Sequence, residues 1–137
     1  MQLEPYLHFN GRCEEAIGFY TDKLGAKVEM MMRYKDMPPG PGPRPNPESA
    51  EKIMHASLSV AGTRLLVSDG RMTGTNTPKF EGFVLSIGVE DADQANRLFT
   101  ALSSGGKITM PMTKTFFSPA FGMLSDKFGV GWMVRVI

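Results

Sequence analysis

One order of elements occurs twice along this chain, and it constrains the fold more than any short motif does. Each pass reads strand, helix stopped by glycine, then three strands. In the first pass, residues 5–9 form a short apolar run that ends at Asn10-Gly11. Cys13, Ala16, Ile17, Tyr20 and Leu24 then recur at helical spacing, with Asn10 placed to cap the helix and Gly25 to stop it. Residues 26–34 read as a strand. Residues 53–61 alternate cleanly, with Met54, Ala56, Leu58 and Val60 on one face and His55, Ser57 and Ser59 on the other. Gly62-Thr63 turns the chain into a strand over 64–68.

The second pass repeats this order with different residues. A strand over 83–89 leads to Asp91 and Asp93, either of which can cap a helix striped by Ala92, Ala95, Leu98, Phe99 and Leu102. Gly105-Gly106 ends it, and strands follow over 107–115, 121–125 and 131–137. The last two are joined by the turn Asp126-Lys127-Phe128-Gly129. Between the passes, residues 71–82 are rich in Gly, Thr and Pro and mark a boundary. The expectation is an α+β fold in one domain, 1–137, with module one over about 1–72 and module two over about 80–137. The helices would cover the outer faces of the two sheets. The opposite faces would line a shared concave surface, giving a cupped mixed sheet.

Residues 36–51 depart from the pattern. Six prolines fall between Pro38 and Pro47, so this segment can neither join a sheet ladder nor continue a helix. It is expected to be a long excursion: a lid, a dimer-embracing arm or a disordered loop.

Charge narrows the range of partners. Net charge is +1 and no block of like charge occurs, so no nucleic-acid partner is implied. No run approaches the length of a membrane span, and Met1 to Pro5 do not open like a signal peptide, so a cytoplasmic location is expected. The single cysteine, Cys13, cannot form an internal disulfide and lies on the apolar stripe of the first helix as a small hydrophobe. Eleven methionines, three of them consecutive at 30–32, read as core filling or as an adaptable apolar pocket or dimer seam. No Gly-x-Ser-x-Gly elbow and no phosphate loop is present.

Several segments together resemble a known family. They are Pro5-Tyr6-Leu7-His8-Phe9-Asn10-Gly11, Glu14 to Tyr20, Leu24-Gly25-Ala26, His55-Ala56-Ser57-Leu58 leading to Ser68-Asp69, Gly106-Lys107-Ile108 with Phe116-Phe117, and Asp126 to Trp132. In this order they resemble the PhnB-like branch of the vicinal oxygen chelate (glyoxalase/bleomycin-resistance/dioxygenase) superfamily, whose members are often labelled 3-demethylubiquinone 3-methyltransferase-like. The sequence has no glycine-rich strand-to-helix turn of the kind Rossmann-like methyltransferases use for a nucleoside cofactor.

The resemblance implies two βαβββ modules, a homodimer, and in most of the superfamily a divalent metal held from four strands. Carried onto this chain, the four ligand places fall at Pro5, Leu66, Val84 and Met133, none of which binds a hard cation. No metal and no cofactor are therefore expected. With Pro5 marking the concave side, His8 would face away from it while His55 would face in, so the two histidines would not converge.

The candidate ligand-binding residues on the concavity are His55, Arg64, Ser68, Ser86 and Arg135, with Phe117 placed to stack on a planar ligand. The expected function is metal-free small-molecule binding in a concave pocket. The alternative is a glyoxalase- or dioxygenase-type enzyme with displaced metal ligands, or acid/base catalysis through His55, whose ordinary pKa of about 6.5 suits proton transfer.

Overall fold

The computed structural model describes residues 1–38, 40–41, 47–70 and 78–137. They form two compact units, Met1–Pro78 and Lys79–Ile137. The first holds β1 (Tyr6–His8), α1 (Cys13–Leu24), β2 (Lys27–Arg33), β3 (Ile53–Val60) and β4 (Thr63–Ser68). The second holds β5 (Leu85–Val89), α2 (Ala92–Leu102), β6 (Lys107–Thr113), β7 (Phe121–Ser125) and β8 (Gly131–Val136). The fold is α+β, with one βαβββ module per unit. Each unit carries a four-stranded mixed sheet of the same topology, β1-β4-β3-β2 and β5-β8-β7-β6. The first strand of each pass runs parallel to the last, and the other pairs are antiparallel.

Alternation places one face of each sheet in a core. In the first unit, Leu7, Ala56, Leu58, Val60, Leu65 and Val67 are buried together with Cys13, Ala16, Ile17, Phe19 and Tyr20 of α1. In the second, Trp132, Val134 and Val136 are buried together with Ala95, Phe99 and Leu102 of α2. Gly122 belongs to this core because a Cβ there would fall 2.8 Å from the Phe99 ring.

The helix ends follow local rules in part. Gly25 takes the left-handed conformation at φ 66° and closes α1 as expected. Asp91 accepts a hydrogen bond from Gln94 N at 2.7 Å and caps α2. The start of α1 differs from expectation, because the N-cap residue is Arg12, whose side chain makes no capping bond. The cap comes instead from Asp69, just beyond β4. Asp69 Oδ1 accepts from Gly11 N at 2.7 Å and Cys13 N at 2.9 Å, and Oδ2 accepts from Ile53 N at 2.8 Å. The side chain is buried, and its negative charge faces the positive end of the helix. Beside it, burial pushes the Cys13 thiol well above the ordinary range, with Asp69 and Glu14 adding to the shift, so Cys13 is a neutral core group.

The proline-rich excursion is closed at its neck. Tyr34 N donates to Lys52 O, Lys35 N donates to Ala50 O, and Lys35 pairs with Glu51 at 2.9 Å. The choice between lid, arm and disorder falls on residues 39 and 42–46, outside the described residues. The consecutive methionines on β2 are not core filling as a group. Met30 and Met31 are both 44% exposed, because β2 is an edge strand with no neighbour on its outer side.

Removing the Asp69 carboxylate strips three backbone N–H groups of their acceptor. Each such loss costs about 1–3 kcal/mol, so Asp69→Ala is expected to lower the unfolding free energy by about 3 kcal/mol or more in urea titrations, with Asp69→Asn losing less. A loss below about 1 kcal/mol would show that this clasp is dispensable.

Candidate functional site

The face of the first sheet turned away from α1 carries a compact set of polar side chains. Register fixes their neighbours. Tyr6 on β1 lies opposite Leu66, Leu66 opposite Ser57, and Ser57 opposite Met30, making one row across all four strands. Beside that row, His8 lies opposite Ser68 and Met32 opposite His55.

Tyr6 joins the two histidines. Its hydroxyl is hydrogen-bonded to His55 Nδ1 at 2.7 Å, and the tautomer of the imidazole sets which of the two donates. The His8 ring stands edge-on to Tyr6 with centroids 5.1 Å apart, and the His55 ring lies 5.4 Å from it. The expected separation of His8 from His55 is therefore corrected. Leu7 and Phe9 are the core residues of this segment, so Tyr6 and His8 take the opposite face. The chain makes room for His8 at Gly70, where a Cβ would fall 2.6 Å from His8 Nδ1. Gly70 also has φ +62°, which favours glycine. Its carbonyl accepts from the Tyr34 hydroxyl at 2.8 Å, and burial raises the Tyr34 pKa above its ordinary value.

Ser57 shares this face. It is 7% exposed, and its Oγ has no hydrogen-bond partner among the described residues. A buried hydroxyl without a partner carries an unmet desolvation cost, which a ligand or a water removes. Neither Tyr6 nor Ser57 was among the residues singled out from the sequence. The signal for Ser57 was present in the alternation of 53–61, whereas that for Tyr6 was hidden by taking Pro5 as the inward residue.

The residues that were singled out fall in different places. His55 is in this cluster. Ser68 lies beside it but is committed to backbone, donating to Met54 O at 2.6 Å and accepting from Gly70 N at 2.8 Å. Arg64 is at the far end of the same sheet, 3.4 Å from Glu29 and 3.7 Å from Glu4, in a cleft of about 350 Å³. Two carboxylates beside one guanidinium leave little net positive charge to clamp an anion. Ser86, Arg135 and Phe117 belong to the second unit. Ser86 lies opposite Met133, and Arg135 is two residues further along β8 and opposite Phe121. Phe117 is exposed and edge-on to Phe116 and Phe121, each at 5.1 Å.

Register also corrects two of the four inherited ligand places. Tyr6, not Pro5, stands opposite Leu66, and Ser86, not Val84, stands opposite Met133. Neither a phenol and a leucine nor a hydroxyl and a thioether make a site for a hard divalent ion. Among the described residues, no three His, Cys, Asp or Glu side chains come together to hold a metal. The donors present at these places therefore do not fit a hard divalent ion.

Comparison with known proteins fits this architecture. Residues 1–135 match the family model described as 3-demethylubiquinone-9 3-methyltransferase. The chain is 34% identical to Protein YjdN of Escherichia coli (strain K12), over 100% of this chain and 96% of that protein. The crystal structure of protein PA1353 from Pseudomonas aeruginosa is 39% identical with a TM-score of 0.86, covering 99% of this chain and 97% of the other. A structure described as a putative 3-demethylubiquinone-9 3-methyltransferase, PhnB protein, from Bacillus cereus is 26% identical with a TM-score of 0.80, over 100% of both chains. At the level of fold alone, the fosfomycin resistance protein FosX from Listeria monocytogenes matches with a TM-score of 0.66 at 6% identity, over 100% of this chain and 93% of that one. The chain belongs to the family described as 3-demethylubiquinone-9 3-methyltransferase.

Proposed function

We propose that this chain binds a small molecule on the Tyr6–His55 face of its first unit without the superfamily's divalent ion. The observation that carries this reading is the 2.7 Å hydrogen bond between Tyr6 and His55, with the Ser57 hydroxyl, unpartnered among the described residues, on the same face. The cluster supplies hydrogen bonds from a phenol, two imidazoles and a hydroxyl, beside apolar contact from Leu66, Met30 and Met32. Among the described residues it contains no carboxylate, lysine or arginine, so it favours a neutral or weakly acidic ligand with oxygen atoms to bond. The family's description names a methyl transfer. The repeated βαβββ units lack the doubly wound parallel sheet in which a nucleoside cofactor usually sits at the strand ends, so binding is the reading adopted.

Native mass spectrometry of protein taken straight from cells tests it. The wild type is expected to carry a retained small molecule, and the double variant Tyr6→Phe/His55→Gln to lose it while keeping its circular dichroism spectrum. Removal of one neutral hydrogen bond is worth about 0.5–1.5 kcal/mol, so Tyr6→Phe alone is expected to weaken binding roughly 2–12-fold. Full retention in the double variant would refute the assignment.

A second reading is acid/base catalysis through His55. It is favoured by the same hydrogen bond, which orients the ring and leaves Nε2 as the atom that exchanges a proton. If it holds, the retained molecule is converted over time, and His55→Gln binds it without converting it. Equal conversion by wild type and His55→Gln would dispose of this reading.

The assembly is proposed to be a homodimer seated on the β2 edge. Val28 and Met31 are 46% and 44% exposed there, and an uncovered apolar edge strand is a template for pairing. Light scattering should report the mass of two chains for the wild type and of one chain for Met31→Lys. A monomeric wild type would end the proposal.

A further inference from the structure

Eleven methionines are more than this core uses. Met112 is accounted for, since its sulfur lies 2.6 Å from where a Gly122 Cβ would sit and so packs into the core under α2. Three others are arranged differently. On the face of the second sheet turned away from α2, Met110 on β6 lies opposite Met123 on β7, and Met123 lies opposite Met133 on β8. Buried neighbours on each strand, Gly122 and Leu124 on β7, Trp132 and Val134 on β8, take the opposite face. Met110 is 41% exposed, and Met123 and Met133 are half-buried. Core filling under α2 does not explain a row of three on the opposite face of the sheet.

We propose that this row is a binding site for a soft monovalent metal ion with the chemistry of Cu(I), held by the thioethers of Met110, Met123 and Met133. Directly opposed residues on neighbouring strands have Cβ atoms roughly 4.5–5.5 Å apart. Each methionine adds three rotatable bonds, which lets the outer two sulfurs swing toward the central one. Thioethers are neutral, soft donors, and they select Cu(I) over hard divalent ions.

The surroundings favour the same class of ion. The side chains beside the row on this face are Ser86 on β5, the pair Phe121 and Arg135, and the pair Ser125 and Lys107. None is a carboxylate or an imidazole, so a hard cation finds no anionic ligand there. Arg135 and Lys107 add positive charge, which penalises a dication more than a monocation. The site lies in the second unit, and the proposal does not rest on ligand binding at the Tyr6–His55 cluster of the first. It also differs in kind from the superfamily's divalent site, because all three donors come from one sheet and none is charged.

Ag(I) is the probe, as a redox-inert ion of the same preference. Cys13→Ala protein is used, since the single thiol is a stronger soft ligand than any thioether. With methionine methyl groups labelled by carbon-13, one equivalent of Ag(I) is expected to shift three of the eleven methyl signals together. Single Met→Leu variants at 110, 123 and 133 identify those signals, and the triple variant is expected to bind no equivalent. Leucine keeps the apolar volume, so these variants test ligation apart from packing. The proposal is overturned if no methyl signal moves, if the signals that move are those of Met30 and Met32, or if the triple variant still binds an equivalent.

Discussion

The Asp69 carboxylate is the constraint on which the first unit depends. A buried charge is tolerated only where its bonds are satisfied, and here three backbone N–H groups satisfy it. Two of them open α1 and the third opens β3. Asp69 also accepts from Asn10 N through its carbonyl, while Phe9 N donates to Ser68 O next to it. One residue thus binds the end of β4 to the chain leaving β1, to the helix and to the next hairpin. The positions of Tyr6 and His8 relative to His55 follow from that clasp. The second unit has the same strand order but a different solution. There the buried Asp126 accepts from Phe128 N, Val130 N and the Trp132 indole at the β7–β8 turn, while Asp91 caps α2 locally.

The scaffold and its chemistry separate in this protein. The paired places on the parallel strands hold Tyr6 with Leu66 and Ser86 with Met133, and none of these is a ligand for a hard divalent ion. The open faces carry phenol, imidazole, hydroxyl and thioether groups, with Arg135 and Lys107 beside the thioethers. Arg64, at the far end of the first sheet, is flanked by Glu4 and Glu29. Fold and function are argued separately here for a physical reason, since register positions side chains and leaves their identity free.

Much of the fold was legible in the sequence. The alternation of residues 53–61 assigns the faces of β3 correctly, and Gly25 marks the end of α1. The strand limits shift by no more than two residues from the expected ones. What local pattern did not carry was the start of α1 and the side of β1. Asn10 had the right residue type and place for a cap, but the acceptor for Gly11 N lies 58 residues away in sequence. A three-residue strand such as β1 shows too few alternations to say which side is inward, and so His8 was turned the wrong way. The exposure of Met30 and Met31 was hidden for a related reason. An apolar strand reads alike at the centre and at the edge of a sheet.

The sequence by itself determined the element order, the two-fold repeat and the family, because these rest on short-range periodicity and on residue types that stop or turn the chain. The tertiary structure alone decided which side chains meet. Tyr6 reaches His55 across 49 residues, and Met110, Met123 and Met133 align only when β6 pairs with β7, through register shifts on either side of Met110, and β7 pairs with β8. A register is set by the packing of the opposite face and by clasps such as Asp69, and each of those is a contact between residues distant in the chain.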